Sequence, residues 1–300
     1  MRRLLPLGML EGALGVVAFS GSLPFTRLAM RGLDPVFVSQ GRALVAAVFA
    51  GTTILVFDRT LPPKSAWLHL AVIALSVVIG FPLLTALALR QIPASHGSVI
   101  VAMTPLATAS LGVLRGQERV PKRFWAASVV GASAVIAYAL HYGSGNLVPA
   151  DVLTLLAVAI LAVGYAEGGI LARSMGGFRT ICWALLIAFP LIAFGLPLYL
   201  RGRPWPAHAG LDAWIGFAYV SCFSMFLGFV VWYRGLARGG VARVGQLQLL
   251  QAPIAFIWSA LMLGEPISRD MLLVVAVVIG CVVVSQKART TGQADPAPAD

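Results

Sequence analysis

The sequence predicts an all-α polytopic membrane protein with ten transmembrane helices, arranged as two inverted five-helix repeats. Three observations lead to this fold class: the composition, the number of apolar segments, and a similarity between the two halves of the chain. Of the 300 residues, 59% are hydrophobic and 11% are charged, whereas a soluble domain carries about 25% charged residues. A water-soluble core is therefore excluded, and a lipid bilayer is the expected surrounding.

Ten apolar segments follow one another along the chain, separated by short clusters of charge, glycine and proline. Their length of about 20 residues is what one membrane-crossing helix needs. The basic start resembles a secretion signal, but nine further spans favour a retained first helix. The polar tail at residues 291–300 is expected to be disordered. The predicted spans are residues 6–29, 35–57, 67–89, 95–114, 124–142, 149–171, 179–200, 212–233, 240–263 and 268–286.

The net charge of +11 would suit a nucleic-acid or anionic-surface binder, but its distribution indicates membrane topology instead. With the N terminus in the cytoplasm, fifteen of the 22 basic residues lie near the cytoplasmic ends of the spans and six near the outer ends. An excess of lysine and arginine in cytoplasmic loops is the positive-inside rule. Both termini are therefore predicted to be cytoplasmic, and no nucleic-acid partner is expected.

The two halves of the chain are weakly similar at a common spacing. Four residues recur 148 positions later, namely Arg90, Ala94, Pro105 and Gly116 as Arg238, Ala242, Pro253 and Gly264. This spacing predicts one five-helix repeat at residues 1–143 and a second at residues 144–290. Because five is odd, each repeat begins and ends on opposite sides, so the second repeat must be inverted. Inverted repeats are typical of secondary transporters, which bind substrate near mid-membrane between them.

Several features occur together and in order: two five-helix halves, RALVAA in the second helix, Pro105 and Pro253 in the fourth and ninth helices, and GQERV and GEPIS just after them. In this the chain resembles the EamA-type drug/metabolite transporter superfamily, and within it the YddG-like aromatic amino acid exporters. The resemblance implies a bacterial inner-membrane exporter of amino acids and related metabolites, working by alternating access through a central cavity. We expect no cofactor, and a monomer as the functional unit.

Amides in the ninth span indicate where the cavity lies. Val244, Gln248, Gln251 and Ala255 share one helical face, and the matched face of the fourth helix carries His96, Ile100, Met103 and Ala107. An amide that faces hydrocarbon leaves its donors and acceptors unpaired, at a cost of several kcal/mol. The repeated polar face favours a substrate cavity, and hydrogen bonding between packed helices is the alternative.

Aromatic residues of the eighth helix, Tyr219, Phe223 and Phe226, lie at helical spacing and are expected to form one wall, with simple packing as the alternative. Pro105 and Pro253 each remove a backbone hydrogen bond and are expected to kink their helices, either as hinges or as a fixed shape of the bundle. The candidate substrate-binding residues are His96, Met103, Gln246, Gln248, Gln251, Tyr219, Phe223, Phe226, Phe19, Ser20 and Tyr165.

Charged side chains within spans are few, and each is costly in lipid. Glu11 and Glu167 lie about 6–9 Å from the cytoplasmic ends of their helices, at about 1.5 Å per residue, where pairing with a nearby arginine and proton coupling are both open. Arg42 is expected to be structural, paired with Asp34. On the candidate cavity wall only His96 titrates, so we expect facilitated export with modest pH sensitivity rather than strict proton exchange.

Other classes of function are weakly supported. The sequence has no HExxH metal pair, no Walker-type phosphate loop and no close carboxylate pair within the bundle, so no catalytic or metal site is predicted. A membrane-embedded enzyme would be indicated by clustering of Glu167, His96 and Arg42. A carrier for nucleotide sugars or other polar metabolites should place several lysines or arginines in its cavity.

Overall fold

The computed structural model describes residues 4–114, 122–142, 146–203, 209–239, 244 and 246–290. These residues form helices and connecting turns, and no strand is found among them. We number ten helices in chain order: α1 (Leu4–Ser20 and Ser22–Ala29), α2 (Pro35–Phe57), α3 (Ala66–Ile73, Ala74–Gly80 and Phe81–Ala88), α4 (Ala94–Val101 and Thr104–Leu114), α5 (Lys122–Tyr142), α6 (Pro149–Met175), α7 (Gly177–Leu200), α8 (Leu211–Ala218, Tyr219–Leu227 and Gly228–Gly239), α9 (Gln246–Leu250 and Gln251–Leu263) and α10 (Arg269–Thr290). The predicted disordered tail, residues 291–300, lies outside the described residues.

Seven of these helices, α1 to α3 and α5 to α8, are long and apolar enough to cross a membrane. α9 contributes a shorter apolar helix, Leu247–Leu263, α4 is interrupted at residues 102–103, and α10 has 22 residues, about the length of one crossing. Large apolar side chains such as Phe194 and Leu273 remain exposed on the outside of the bundle, as a lipid-facing surface requires. The predicted polytopic all-α fold is confirmed.

Helical irregularities recur at equivalent places in the two halves. α3 becomes a π-helix over Ala74–Gly80, and α8 does so over Tyr219–Leu227. α4 breaks at Ala102, and 148 residues later α9 changes at Leu250 from a 3-10 helix to an α-helix. The contacts between helices follow the same symmetry. α2 contacts α7, α4 contacts α9 and α5 contacts α10, and each of these pairs joins equivalent helices of the two halves. The contact of α1 with α8 is equivalent to the contact of α6 with α3. This is the arrangement that two inverted five-helix repeats produce.

The two repeat-related prolines have different local effects. Pro105 has no N–H to donate to the carbonyl of Val101, four residues earlier, and α4 breaks there. The hydroxyl of Thr104 donates to that carbonyl over 2.7 Å, so the acceptor is satisfied. Pro253 lies in the first turn of Gln251–Leu263, a position that a proline occupies without losing a helical hydrogen bond. α4 is thus interrupted just before Pro105, and α9 changes its helix type just before Pro253; a kink and a hinge role at either proline stay predictions.

Glycines bring α1 and α8 into backbone contact. A Cβ atom added to Gly235 would lie 2.6 Å from the backbone nitrogen of Gly12 and 2.9 Å from the carbonyl oxygen of Gly8. Small residues permit such close approach between membrane helices, where packing replaces the hydrophobic effect as the source of association. This contact holds α1 of the first repeat closely against α8 of the second.

Candidate substrate cavity

A cavity lies between the two repeats, in two parts that share five lining residues: Phe19, Val101, Thr104, Gln248 and Gln251. These residues belong to α1, α4 and α9. The two parts contain about 330 and 430 Å³ of space that no protein atom occupies, including some that is open to solvent. Side chains divide this space so narrowly that its interior admits only about one water-sized molecule. A larger substrate therefore requires the surrounding helices to move apart.

The larger part of the cavity is lined by helices of both repeats. Beyond the shared residues, α2 contributes Arg42, α3 contributes Phe81, α6 contributes Tyr165, and α8 contributes Ser224 and Phe229. The result is an apolar, aromatic wall that carries a few separate polar groups. Small-molecule sites commonly have this character, with the polar groups setting orientation and specificity.

Five of the predicted binding residues line this cavity: Phe19, Ser20, Tyr165, Gln248 and Gln251. The side chain of Gln248 is almost fully buried and interacts with the Tyr165 hydroxyl, which provides the partner that an amide in the membrane requires. Pro105 also lies at the cavity wall. The side chain of Gln246 lies outside the described residues. Substrate binding by these residues stays a prediction.

His96 is not a cavity residue. Its side chain is fully buried between α4, α5 and α6, where Nε2 lies 2.7 Å from Oδ1 of Asp151 and Nδ1 lies 3.2 Å from the Tyr138 hydroxyl. Oδ2 of Asp151 accepts a further hydrogen bond from the N–H of Val148. The imidazole is thus held by partners on neighbouring helices, and we remove it from the candidate site.

Met103 is also displaced from the predicted wall, because it lies at the break in α4. The interruption at residues 102–103 ends the regular helical spacing that placed Met103 on the same face as His96. Met103 instead packs, half-buried, against the apolar cluster that includes Leu106 and Val158.

The aromatic residues expected to line the cavity from α8 face other surroundings. Phe223 is 52% exposed, and Tyr219 stacks on Phe25 with ring centroids 3.9 Å apart. Phe226 packs against Phe49 of α2. The expected wall of Tyr219, Phe223 and Phe226 is therefore absent from both described parts of the cavity.

The π-helix explains this difference. Its hydrogen bonds join residue i to i+5, so each turn holds more residues than the 3.6 of an α-helix. Within Tyr219–Leu227 the three residues do not form one continuous face: Tyr219 and Phe223 stack with ring centroids 5.6 Å apart, whereas Phe226 packs against Phe49. Ser224 and Phe229 reach the cavity instead.

Glu11 and Glu167, the two carboxylates that the sequence placed within spans, both lie against basic side chains. Oε1 of Glu11 accepts from Nη1 of Arg238 at 2.6 Å and lies 3.2 Å from Nε of Arg234, so it links α1 to α8. Glu167 of α6 pairs with His69 of α3. Glu167 lies 16 positions after Asp151, about 24 Å along α6, so Glu167 and the buried His96 are not parts of one cluster.

Arg42, unlike Glu11 and Glu167, has no oppositely charged partner among the described residues. Its side chain is 5% exposed and lines the larger part of the cavity. The expected pair with Asp34 is wrong, because Asp34 caps α2 and accepts from the N–H groups of Val36 and Phe37 at 2.8 and 3.2 Å. The contact that Arg42 makes is to the hydroxyl of Thr26 at 3.5 Å, and its Nε has no acceptor among the described residues.

A charged contact joins the repeats at the start of α4. The carboxylate of Glu265, just after α9, accepts from the N–H groups of Ala94 and Ser95 at 2.9 and 2.8 Å. It thereby satisfies donors at a helix N terminus, where negative charge is favoured. Nε of Arg27 in α1 lies 3.5 Å from the same carboxylate. Three helices are tied together at this end of the cavity.

Comparison with known proteins matches this chain to a family of transporters. The model of the EamA-like transporter family matches the chain twice, over residues 6–140 and 148–286. An uncharacterized transporter of Bacillus subtilis (strain 168), YdeK, is 44% identical over 282 residues, which cover 93% of this chain and 97% of the relative. Protein PecM of Dickeya dadantii (strain 3937) is 24% identical over 256 residues, with 81% and 82% covered.

The fold is also found in a solved protein. One crystal structure, with 18% sequence identity, superposes with a TM-score of 0.64 and covers 96% of this chain and 99% of its own. At this identity the likeness concerns the fold, and it extends over nearly the whole of both chains.

Proposed function

We propose that this chain, which belongs to the EamA-like transporter family, exports amino acids and related small metabolites, with aromatic and other apolar amino acids favoured. The family and its relatives establish a multi-pass membrane transporter of the drug/metabolite transporter superfamily. Our proposal adds the substrate class, the outward direction of transport and the mechanism of alternating access. It rests on the cavity between the repeats, where amide and hydroxyl groups lie among aromatic walls.

The chemistry of the wall suits a zwitterion that carries an apolar side chain. Phe19 and Phe229, with ring centroids 4.7 Å apart, provide an apolar surface on which such a side chain packs. The amides of Gln248 and Gln251 offer N–H donors to the carboxylate of an amino acid and oxygen acceptors to its ammonium group. Nucleotide sugars are a poorer match, since Arg42 is the single Lys or Arg among the described lining residues and a phosphate-binding site favours several.

The way in which the cavity is built supports alternating access. We propose that residues 1–143 and 144–290 act as the two repeats and tilt against each other around the shared site. The paired π-helices, the paired interruptions of α4 and α9, and the two separate family matches support this division. The positive-inside distribution supports cytoplasmic termini.

Transport by the purified protein in liposomes tests the proposal. Vesicles loaded with radiolabelled phenylalanine, tryptophan, leucine, lysine or UDP-glucose should release the apolar amino acids faster than vesicles without protein. Excess unlabelled phenylalanine should slow this release, since the substrates compete for one site. Release of UDP-glucose with none of the amino acids would overturn the proposal and support the nucleotide-sugar carrier.

A further inference from the structure

We propose that Arg42 is the anchor for a substrate carboxylate, and that this carboxylate, more than the ammonium group, is what the cavity recognises. The inference rests on the proposed function and narrows its substrate class to carboxylates with an apolar body. It starts from the position of the side chain. Arg42 lies seven residues after Pro35, about 10 Å into the membrane along α2, and faces the cavity between the repeats.

A charge at this depth needs a partner. Removing an ion from water is expensive, and an uncompensated charge within a span is rare unless it faces a watery cavity or serves a function. The nearest oxygen that Arg42 contacts is the Thr26 hydroxyl, at 3.5 Å, which exceeds the usual length of an N–H···O hydrogen bond. A neutral hydroxyl at this distance does not balance a guanidinium.

The carboxylates in the described part of the chain have other partners. Asp34 caps α2, and the others lie against arginine or histidine side chains or bind helix-terminal N–H groups. In the described part of the chain these pairs are Glu11 with Arg234 and Arg238, Asp58 with Arg179, Asp151 with His96, Glu167 with His69, Asp212 with Arg31, Glu265 with Arg27, and Asp270 with His141. None of these ion pairs involves Arg42. The guanidinium is thus a cation in the cavity with no anion beside it among the described residues.

The groups around Arg42 fit a carboxylate with an apolar body. A guanidinium presents parallel N–H donors that match the two oxygens of a carboxylate. The hydroxyls of Ser22 and Ser224, 2.5 Å apart across α1 and α8, line the same part of the cavity. One of them donates to the other, which leaves one O–H as a further donor for a ligand. Phe81 and Phe229 provide apolar walls. An ammonium group would find only neutral oxygens among these described lining residues.

The test compares ligands that differ in one group. L-phenylalanine has both charged groups, 3-phenylpropionate has only the carboxylate, and L-phenylalaninamide has only the ammonium. Ligand-induced shifts of the melting temperature in detergent report binding without requiring transport. We expect phenylalanine and 3-phenylpropionate to stabilise the wild-type protein and phenylalaninamide to have little effect. If neither carboxylate shifts the melting temperature, or the amide shifts it as much as the acids, the proposal is overturned.

Variants assign the effect to Arg42. Arg42→Gln removes the charge, Arg42→Lys keeps the charge without the two-pronged donor, and Arg31→Gln is the matched control, since Arg31 is half-exposed and pairs with Asp212. Loss of one charge-assisted contact should weaken affinity for the acids by about 10- to 100-fold in Arg42→Gln, with a smaller loss in Arg42→Lys and none in Arg31→Gln. Unchanged affinity in a folded Arg42→Gln protein overturns the proposal. Should both Arg42 variants fail to fold, the wild-type comparison of acid with amide still decides.

The outcomes separate this inference from the function it rests on. If 3-phenylpropionate binds through Arg42 while no amino acid is released from liposomes, amino acid export fails and the carboxylate site stands. If phenylalanine and phenylalaninamide are released at equal rates, export stands and the carboxylate site fails. A structural role of Arg42 would instead lower the melting temperature of Arg42→Gln without ligand, whereas removal of an unpaired buried charge should leave it equal or higher.

Discussion

The backbone contact between α1 and α8 gives a quantitative prediction for Gly235→Ala. The added Cβ atom would lie 2.6 Å from the backbone nitrogen of Gly12, whereas ordinary contacts of a Cβ begin at 3.4 Å. The helices must therefore separate by nearly 1 Å, because the Cβ atom is fixed to its own helix and the atoms that it meets belong to the backbone of α1, so no side chain can turn away. Overpacking of this kind costs about 1–3 kcal/mol, and we expect the upper part of that range.

The matched control is Gly195→Ala in α7. Gly195 also lies within a helix, but no atom is found within 4 Å of its added Cβ. Both substitutions gain the same helix propensity, about 1 kcal/mol, so the difference between the two variants isolates the clash. Unfolding by dodecyl sulfate titration, with thermal melting in detergent as a second measure, gives that difference. Equal stability of the two variants would refute the close contact between α1 and α8.

Three further predictions concern the cavity, the buried histidine and the topology. Gln251→Ala should lower transport by about 3- to 30-fold, the equivalent of one intramembrane hydrogen bond, with normal size-exclusion behaviour; a native rate would remove Gln251 from the site. His96→Phe should lower the free energy of unfolding by about 3–5 kcal/mol, because it leaves the Asp151 carboxylate buried without its partner, and a melting temperature equal to wild type would contradict the pairing. Maleimide reagents added to intact cells should label Leu147→Cys but not Thr60→Cys, and labelling of both would contradict the proposed orientation.

The fold was predictable because the bilayer imposes it. Lipid requires apolar spans of about 20 residues and internal satisfaction of every backbone polar group, and composition alone reveals such spans. Repeat symmetry was predictable for a different reason. The common spacing of 148 residues that joins Pro105 to Pro253 in the sequence also joins the interruptions of α4 and α9 in the structure.

The site was only partly predictable, because the argument from the sequence assumed a constant helical period. Gln248 and Gln251 do line the cavity, although the helix around Gln248 is a 3-10 helix. In α8 the assumption fails, since the π-helix turns Phe223 outward and brings Ser224 to the cavity. No apolar pattern in one sequence distinguishes a π-helix from an α-helix.

Contacts between side chains on helices far apart in the sequence could not be predicted either. His96 binds Asp151, 55 residues later, and Glu265 binds the start of α4, about 170 residues earlier. Such pairs depend on which helices become neighbours, and that is decided by packing of the whole bundle. The partner of Arg42 was predicted wrongly for a similar reason. Asp34 is close to Arg42 in the sequence, but its carboxylate caps α2.

The driving force of transport follows from what titrates in the cavity. A proton antiporter needs a carboxylate or histidine that meets both sides of the membrane in turn and exchanges its proton for substrate. No carboxylate or histidine is found among the described lining residues. Glu11 pairs with arginine and Glu167 with His69, both away from this lining, and His96 is buried against Asp151. Arg42 keeps its charge at every physiological pH. Because His96 does not line the described cavity, it no longer supports the modest pH sensitivity that the sequence predicted.

We therefore predict facilitated diffusion of the substrate down its own gradient. Liposomes containing the wild-type protein and equal phenylalanine on both sides should keep equal concentrations after a pH step is imposed across the membrane. The neutral zwitterion carries no net charge, so the proton gradient exerts no force on it unless a protein group couples the two movements. Sustained accumulation against the gradient, abolished by a protonophore, would show that a coupling group exists. That group would then lie outside the described lining of the cavity, or would be one of the paired carboxylates, exposed when the helices move apart.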